Sequence, residues 1–318
     1  MERRTGLEVP EPDPSQELAG WKIYFAAPRP SQVPPLSVAS FSYRTGGPLV
    51  LRSRRETLVS GQQGGFGMAF NPQREDALFL DRRDGVQVVH IETGLLQEQN
   101  AGGSVKRMEV IDPHVLATTS DGPVHVFPIN NDGSLGEAIR VSISGDAQNL
   151  TQIIATPGGL YFTQATGVNL GRIGRLTFSP NFTGATTEVY YTNVPAARGG
   201  VYDPYTRSII LMGLSHVTQV PADLGPPAQP GDPIPIISDR DLSGFDGIVP
   251  ELYQGTVDGR GRLFVTSPRH SRLFLLDFTR TRLVGHARTH VTAAEISNVH
   301  DVQVRRDRVT IVLDEGAS

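Results

Sequence analysis

Short apolar runs separated by turn residues recur along most of the chain. Between Gly255 and Val284, runs at 256–257, 263–265 and 273–278 and a fourth near Leu283 are broken by Asp258-Gly259-Arg260-Gly261, by Ser267 and Pro268, and by 279–281. These runs are too short for helices and rich in Leu, Phe and Val, so each predicts a strand. Asp-Gly between apolar runs predicts a tight hairpin turn. Together they predict a four-stranded antiparallel meander.

The same pattern starts again near residues 67, 108, 151, 199 and 300, at spacings of about 41 to 55 residues. The first strands predicted at 67–72, 108–113, 152–157 and 199–204 are each followed by further apolar runs, such as 77–80 and 86–91 in the first unit and 208–212 and 217–220 in the fourth. Four-stranded repeats of this length predict propeller blades. The last repeat, with strands predicted at 300–304 and 309–313, ends after two strands. N-terminal runs at 38–43 and 48–52 would complete it, tying both ends into one blade and removing open sheet edges. The prediction is an all-β fold: a single closed β-propeller of six blades, with 21–26 left over. If 21–26 opens a partial blade, the number is seven. Residues 1–20 are polar, charged and proline-broken and are expected to be disordered; 21–318 form the domain.

Composition fits one turn-rich domain with a core: 38% hydrophobic residues, 34 Gly and 24 Pro in 318 residues. The net charge of -4, without a basic patch interleaved with aromatics, gives no reason to expect nucleic acid. No apolar run reaches membrane-spanning length, so no membrane partner is expected. The chain has no Cys, which excludes disulfides and thiol chemistry. The first 19 residues lack the apolar core of a signal peptide. Cytoplasmic residence and secretion with a removed signal both stay open, as does the oligomeric state.

Phe70, Asn71 and Pro72, Tyr202, Asp203 and Pro204 with 208–211, Asp258 and Gly259 with 262–266, and 276–279 give the chain a blade grammar. It resembles the six-bladed propeller superfamily of gluconolactonases, strictosidine synthases and related lactonases over about residues 60 to 314. Residues 127–136 are also similar to seven-bladed bacterial lactonases. The resemblance implies a small-molecule site in the central funnel and, for the lactonases, a divalent cation held by a Glu on the first inner strand, two Asn and an Asp. Here Gly64, Gly65, Phe66 and Gly67 stand at that first strand, with no carboxylate. Asn149, Asn298, Asp246 and Asp301 occur in loops but not at the lactonase spacing. No bound metal or cofactor is therefore expected. The chain also has no zinc-protease, nucleophile-elbow, phosphate-loop or dinucleotide motif.

In a propeller, the loops from second to third strand and from one blade to the next share one face. On that face the sequence places His216, His270, His300 and Asp246 as candidate catalytic residues. A neutral imidazole can donate one hydrogen bond and accept another, and so move a proton near neutral pH. Gln63, Phe66, Arg198, Tyr253, Asn149 and Asn298 are candidate substrate-binding residues. Donors outnumber carboxylates in this set, which suits an oxygenated organic molecule. Asp81, Asp121 and Asp258 precede Gly or Arg in turns, where capping the turn is the ordinary role of an Asp.

The reading favoured by this pattern is a metal-independent enzyme that cyclises or isomerises a small oxygenated substrate, resembling natural-product cyclases of the hetero-Diels–Alder type. A metal-dependent lactonase and a non-catalytic propeller binding a protein or sugar are the alternatives.

Overall fold

The computed structural model describes residues 18–26, 36–53, 56–59, 66–82, 84–120, 122–227, 232–296 and 301–306. Strands β1 (Leu18–Ala26), β2 (Leu36–Arg44), β3 (Leu49–Leu51) and β4 (Glu56–Val59) come first. Five meanders follow. The first holds β5 (Met68–Phe70), β6 (Ala77–Arg82), β7 (Gly85–His90) and β8 (Gly94–Asn100). The second holds β9 (Arg107–Asp112), β10 (Val115–Thr119), β11 (Val124–Pro128) and β12 (Ile139–Gly145). The third holds β13 (Gln152–Thr156), β14 (Gly159–Ala165), β15 (Leu170–Phe178) and β16 (Gly184–Pro195). The fourth holds β17 (Gly199–Asp203), β18 (Ser208–Met212), β19 (His216–Pro221) and β20 (Ser238–Asp241). The fifth holds β21 (Gly255–Val257), β22 (Arg262–Ser267), β23 (Arg272–Asp277) and β24 (His290–Glu295), and β25 (Asp301–Arg306) follows it.

Each meander is an antiparallel unit in sequence order, and β25-β1-β2-β3 forms a sixth. The first strands β5, β9, β13, β17, β21 and β25 neighbour one another in a closed ring, which makes the fold a β-propeller. The second and third units are also joined at their outer edges, where β12 and β16 pair in parallel.

Two strand assignments differ from the sequence reading. The run at 21–26 is not left over: β1 pairs with β25 on one side, from Trp21 opposite Arg306 to Ala26 opposite Asp301, and with β2 on the other. The reason lies in its side chains. Trp21, Ile23 and Phe25 are buried against the fifth unit, while Tyr24 and Ala26 are buried against the first. A strand apolar on both faces needs cover on both, and the fifth and first units on either side provide it. The strand predicted at 309–313 lies outside the described residues. The fourth strand of the fifth unit is β24 rather than a run near Leu283. Gly285 has φ +75, and a Cβ there would lie 1.8 Å from the Asp239 carbonyl, so the chain turns at that point.

The apolar core sits between neighbouring units rather than at the axis. One cluster joins Phe79, Val88, Leu116 and Phe127; another joins Met212, Leu252, Val265 and Phe274. The axis is left to polar groups.

Candidate active site in the channel

Each inner strand has a hydrogen-bonded neighbour within its own unit on one side only, so its other edge faces the channel. Unpaired N–H and C=O groups on such an edge need partners. Side chains from other units supply them. Asp301 Oδ2 accepts from the Met68 N–H at 2.7 Å, and the Gln303 amide donates to the Met68 carbonyl at 3.1 Å. Gln152 accepts from the Gly200 N–H at 3.0 Å and donates to its carbonyl at 2.8 Å. Glu109 Oε1 accepts from the Ala155 N–H at 3.1 Å. Arg107 donates to the Arg198 carbonyl and, at 3.4 Å, to Gln152 Oε1.

Two of these side chains, Asp301 and Arg107, are bridged by a third, Gln254. With the Gln254 amide oriented to suit its neighbours, its nitrogen donates to the two Asp301 carboxylate oxygens at 2.9 and 2.8 Å, and its oxygen accepts from Arg107 Nε at 3.0 Å. The Arg107 guanidinium lies 5.4 Å from the centre of the Tyr253 ring. Asp301 opens β25, Gln254 precedes β21 and Arg107 opens β9, so the bridge ties together the sixth, fifth and second units.

Glycine lets the ring close this tightly. A Cβ on Gly67 would lie 2.4 Å from the Lys106 carbonyl, and one on Gly199 would lie 3.2 Å from Gln152 Oε1. Close approach of β5 to β9 thus explains the Gly67 that stands in a first strand where the lactonase resemblance implies a ligand.

The two channel carboxyls differ in environment. Burial pushes Asp301 from 3.8 up to about 7, against the Met68 and Val302 N–H groups and the Arg107 charge. Four N–H donors, from Met68, Val302 and the Gln254 amide, fix the Asp301 carboxyl in place. Glu109 has one backbone donor. Burial, aided by the charge of Asp301, raises it from 4.5 to about 7, and the Ala155 N–H opposes this. Glu109 is half-buried. Arg107 and Glu109 are two apart on β9 and so point to the same face.

The residues expected at the site fall into three groups. Arg198 and Tyr253 meet at Arg107. His216 opens β19 and His270 lies in a short turn of that same end: Leu252 N–H bonds the Leu214 carbonyl beside the first, and Glu251 pairs with Arg269 beside the second. The Ser215 hydroxyl is 2.9 Å from His216 Nδ1, and Asp241 is 3.9 Å from its Nε2. His270 closes a short 3₁₀ turn, Pro268–His270, and Asp246 lies in another, Phe245–Gly247. Phe66 is half-buried just ahead of β5, and Asn149 is exposed between β12 and β13. His300, Asn298 and Gln63 lie outside the described residues.

Sequence reading gave Arg107, Glu109 and Gln254 no role and left Asp301 among scattered loop residues. A signal was present for Glu109: one acidic residue within the run Met108, Val110 and Ile111. Asp81 is also more than a turn residue, because it is buried and its carboxylate accepts from the Gly67 N–H at 3.2 Å.

The described donors do not fit the divalent cation that the resemblance implies. Asp301 is saturated by N–H donors beside a guanidinium, and no three of His, Asp and Glu gather to hold a metal among the described residues.

No protein-family model matches the chain, and no curated protein matches it. Solved structures do. A periplasmic gluconolactonase of Pseudomonas aeruginosa is 11% identical, with a TM-score of 0.55 and coverage of 90% of this chain and 99% of its own. A Lactobacillus plantarum protein is 15% identical, with a TM-score of 0.54 over 87% of this chain and 82% of its own. A Bacteroides fragilis protein provisionally named a 6-phosphogluconolactonase is 10% identical, with a TM-score of 0.51 over 93% of this chain and 100% of its own. The likeness is one of fold: a propeller of the kind found in lactonase-named proteins.

Proposed function

We propose that the protein is a small-molecule enzyme that opens a lactone ring in the channel, with Glu109 as the proton-transfer group. One observation carries the reading: a carboxyl between the inner strands β9 and β13, held by a single hydrogen bond, raised to about 7 and set on the same strand face as Arg107. A carboxyl that titrates near neutrality can take a proton and return it. The gluconolactonase name of a solved neighbour favours a lactone over a substrate for cyclisation, and the cyclase reading draws no such support.

In this reading, a water oxygen bonds to the lactone carbonyl carbon while ionised Glu109 takes the water proton. The positive charge of Arg107 stabilises the tetrahedral oxyanion. The ring C–O bond then breaks, Glu109 returns the proton to the departing alkoxide, and a hydroxy acid leaves. The bridge through Gln254 to Asp301 fixes the guanidinium. His216, His270, Arg198 and Tyr253 are assigned to holding the substrate at the mouth.

The test is hydrolysis of a panel of sugar and aliphatic lactones, followed by acid release with chelator present. The expected kcat/KM rises with pH through about 7, because the base acts when ionised. Glu109→Gln should lower kcat by about 100-fold or more. Turnover at the wild-type rate by that variant ends the assignment, and absence of lactone hydrolysis across the panel ends the reading.

A further inference from the structure

Gln254 holds the Arg107 guanidinium at Nε. A second amide meets it at Nη1. We infer that Gln152 is a positioning residue for the channel reaction: its amide, locked onto the edge of β17, seats the Nη1 end of Arg107. What Arg107 does for the substrate rests on the lactone-opening reading; how it is held rests on the hydrogen bonds alone.

Gln152 opens β13, and its side chain reaches into the fourth unit. The edge of β17 away from β18 has no strand partner, so the Gly200 N–H and carbonyl on it need other partners. One amide serves both. Gln152 Oε1 accepts from the Gly200 N–H at 3.0 Å, and its Nε2 donates to the Gly200 carbonyl at 2.8 Å. Two bonds of opposite sense allow only one orientation of the amide, with the oxygen at the N–H and the nitrogen at the carbonyl. That oxygen has a second lone pair, and Arg107 Nη1 donates to it at 3.4 Å. Nη1 also donates to the Arg198 carbonyl, two residues before Gly200. Both acceptors of Nη1 are therefore fixed by the same short stretch, 198–200, of the fourth unit.

Gly199 makes room for this seat. A Cβ there would lie 3.2 Å from Gln152 Oε1 and 3.5 Å from Arg107 Nη1, between the two groups that meet. The chemistry of position 152 fits the role as well. The Arg198 carbonyl and the Gln152 and Gln254 oxygens are neutral acceptors. They orient the guanidinium without cancelling the charge that a developing oxyanion needs. A carboxylate at 152 would lose the donor to the Gly200 carbonyl and set a negative charge against Arg107.

The experiment is a double-mutant cycle on the full chain, read in lactone hydrolysis. Gln152→Ala should lower kcat at least tenfold with KM changed less than threefold. Arg107→Lys keeps the positive charge and loses the planar fork. In that background Gln152→Ala should lower kcat by less than threefold, because a residue that acts through Arg107 has nothing left to place. A tenfold loss in both backgrounds marks Gln152 as a framework residue only and overturns the inference. So does an unchanged kcat in the single variant. Gln152→Glu, which keeps the side-chain length, should lower kcat at least as far as Gln152→Ala; full activity of that variant also overturns it.

A second readout needs no substrate. In 15N-labelled protein the Arg107 Nη–H signals should be separated by hindered rotation. They should coalesce in Gln152→Ala and in Gly199→Ala, which pushes the seat apart from the backbone side. Signals that stay separate in both variants overturn the inference whatever the protein hydrolyses. Coalescence in a protein that opens no lactone supports the seat and ends the lactone reading, so the two failures are distinct.

Discussion

Replacing Glu109 by Gln should stabilise the fold while lowering turnover by about 100-fold or more. The amide oxygen can still accept from the Ala155 N–H, so the edge of β13 keeps its partner. What disappears is a carboxyl whose ionisation the channel opposes. Its pKa rises from 4.5 to about 7 in the folded protein, and each tenfold difference corresponds to about 1.4 kcal/mol, giving roughly 3 kcal/mol as an upper bound. Water in the channel screens part of this, so about 2 kcal/mol is expected. The sign follows from linkage. Between 4.5 and 7 the folded state binds more protons than the unfolded state, so stability falls as pH rises through that window. Below 4.5 the two proteins should be alike; above 7 the variant should be more stable by the full amount. For a chain of this size that is about 3 °C in melting temperature. Denaturant titrations at pH 5, 6, 7 and 8 read the difference directly. His125, pushed down by burial, gives a slope of opposite sign, but it is common to both proteins and cancels in the comparison. A variant that is no more stable than wild type at pH 8, or that keeps the same pH slope, refutes the argument.

Other perturbations bear on the frame that holds the site. Gln254→Leu removes the donors that bridge Asp301 to Arg107 and should cost about 1–3 kcal/mol, with a steeper loss of stability above neutral pH; an unchanged denaturation midpoint would discount the bridge. Arg262 is buried with Asp258 at 3.6 Å and Asp277 at 3.9 Å, under the rings of Trp21 and Tyr43. Arg262→Ala leaves two buried carboxylates without their cation and should cost about 3–5 kcal/mol; a loss under 1 kcal/mol in urea titration would show that they relax into water. Gly67→Ala drives a methyl into the Lys106 carbonyl and should cost about 1–3 kcal/mol; a neutral result in the same titration means that β5 and β9 can separate freely.

Much of the fold was legible in the sequence because a blade is a local object. Alternating runs, Asp-Gly turns and repeat length marked the meanders, and the truncated last repeat pointed to closure by N-terminal strands. Strand order alone predicts a common face for His216, His270, Arg198 and Tyr253. Local pattern could not say which N-terminal strand lies beside β25. That depended on Trp21, Ile23 and Phe25 meeting the fifth unit while Tyr24 and Ala26 meet the first. Nor could it show the channel bridge. Arg107, Gln254 and Asp301 are far apart in sequence and meet only because six inner strands surround one axis. Glu109 looked like one polar position in an apolar strand. Ring closure alone placed it against the unpaired Ala155 N–H and within the field of Asp301, and its raised pKa comes from that enclosure.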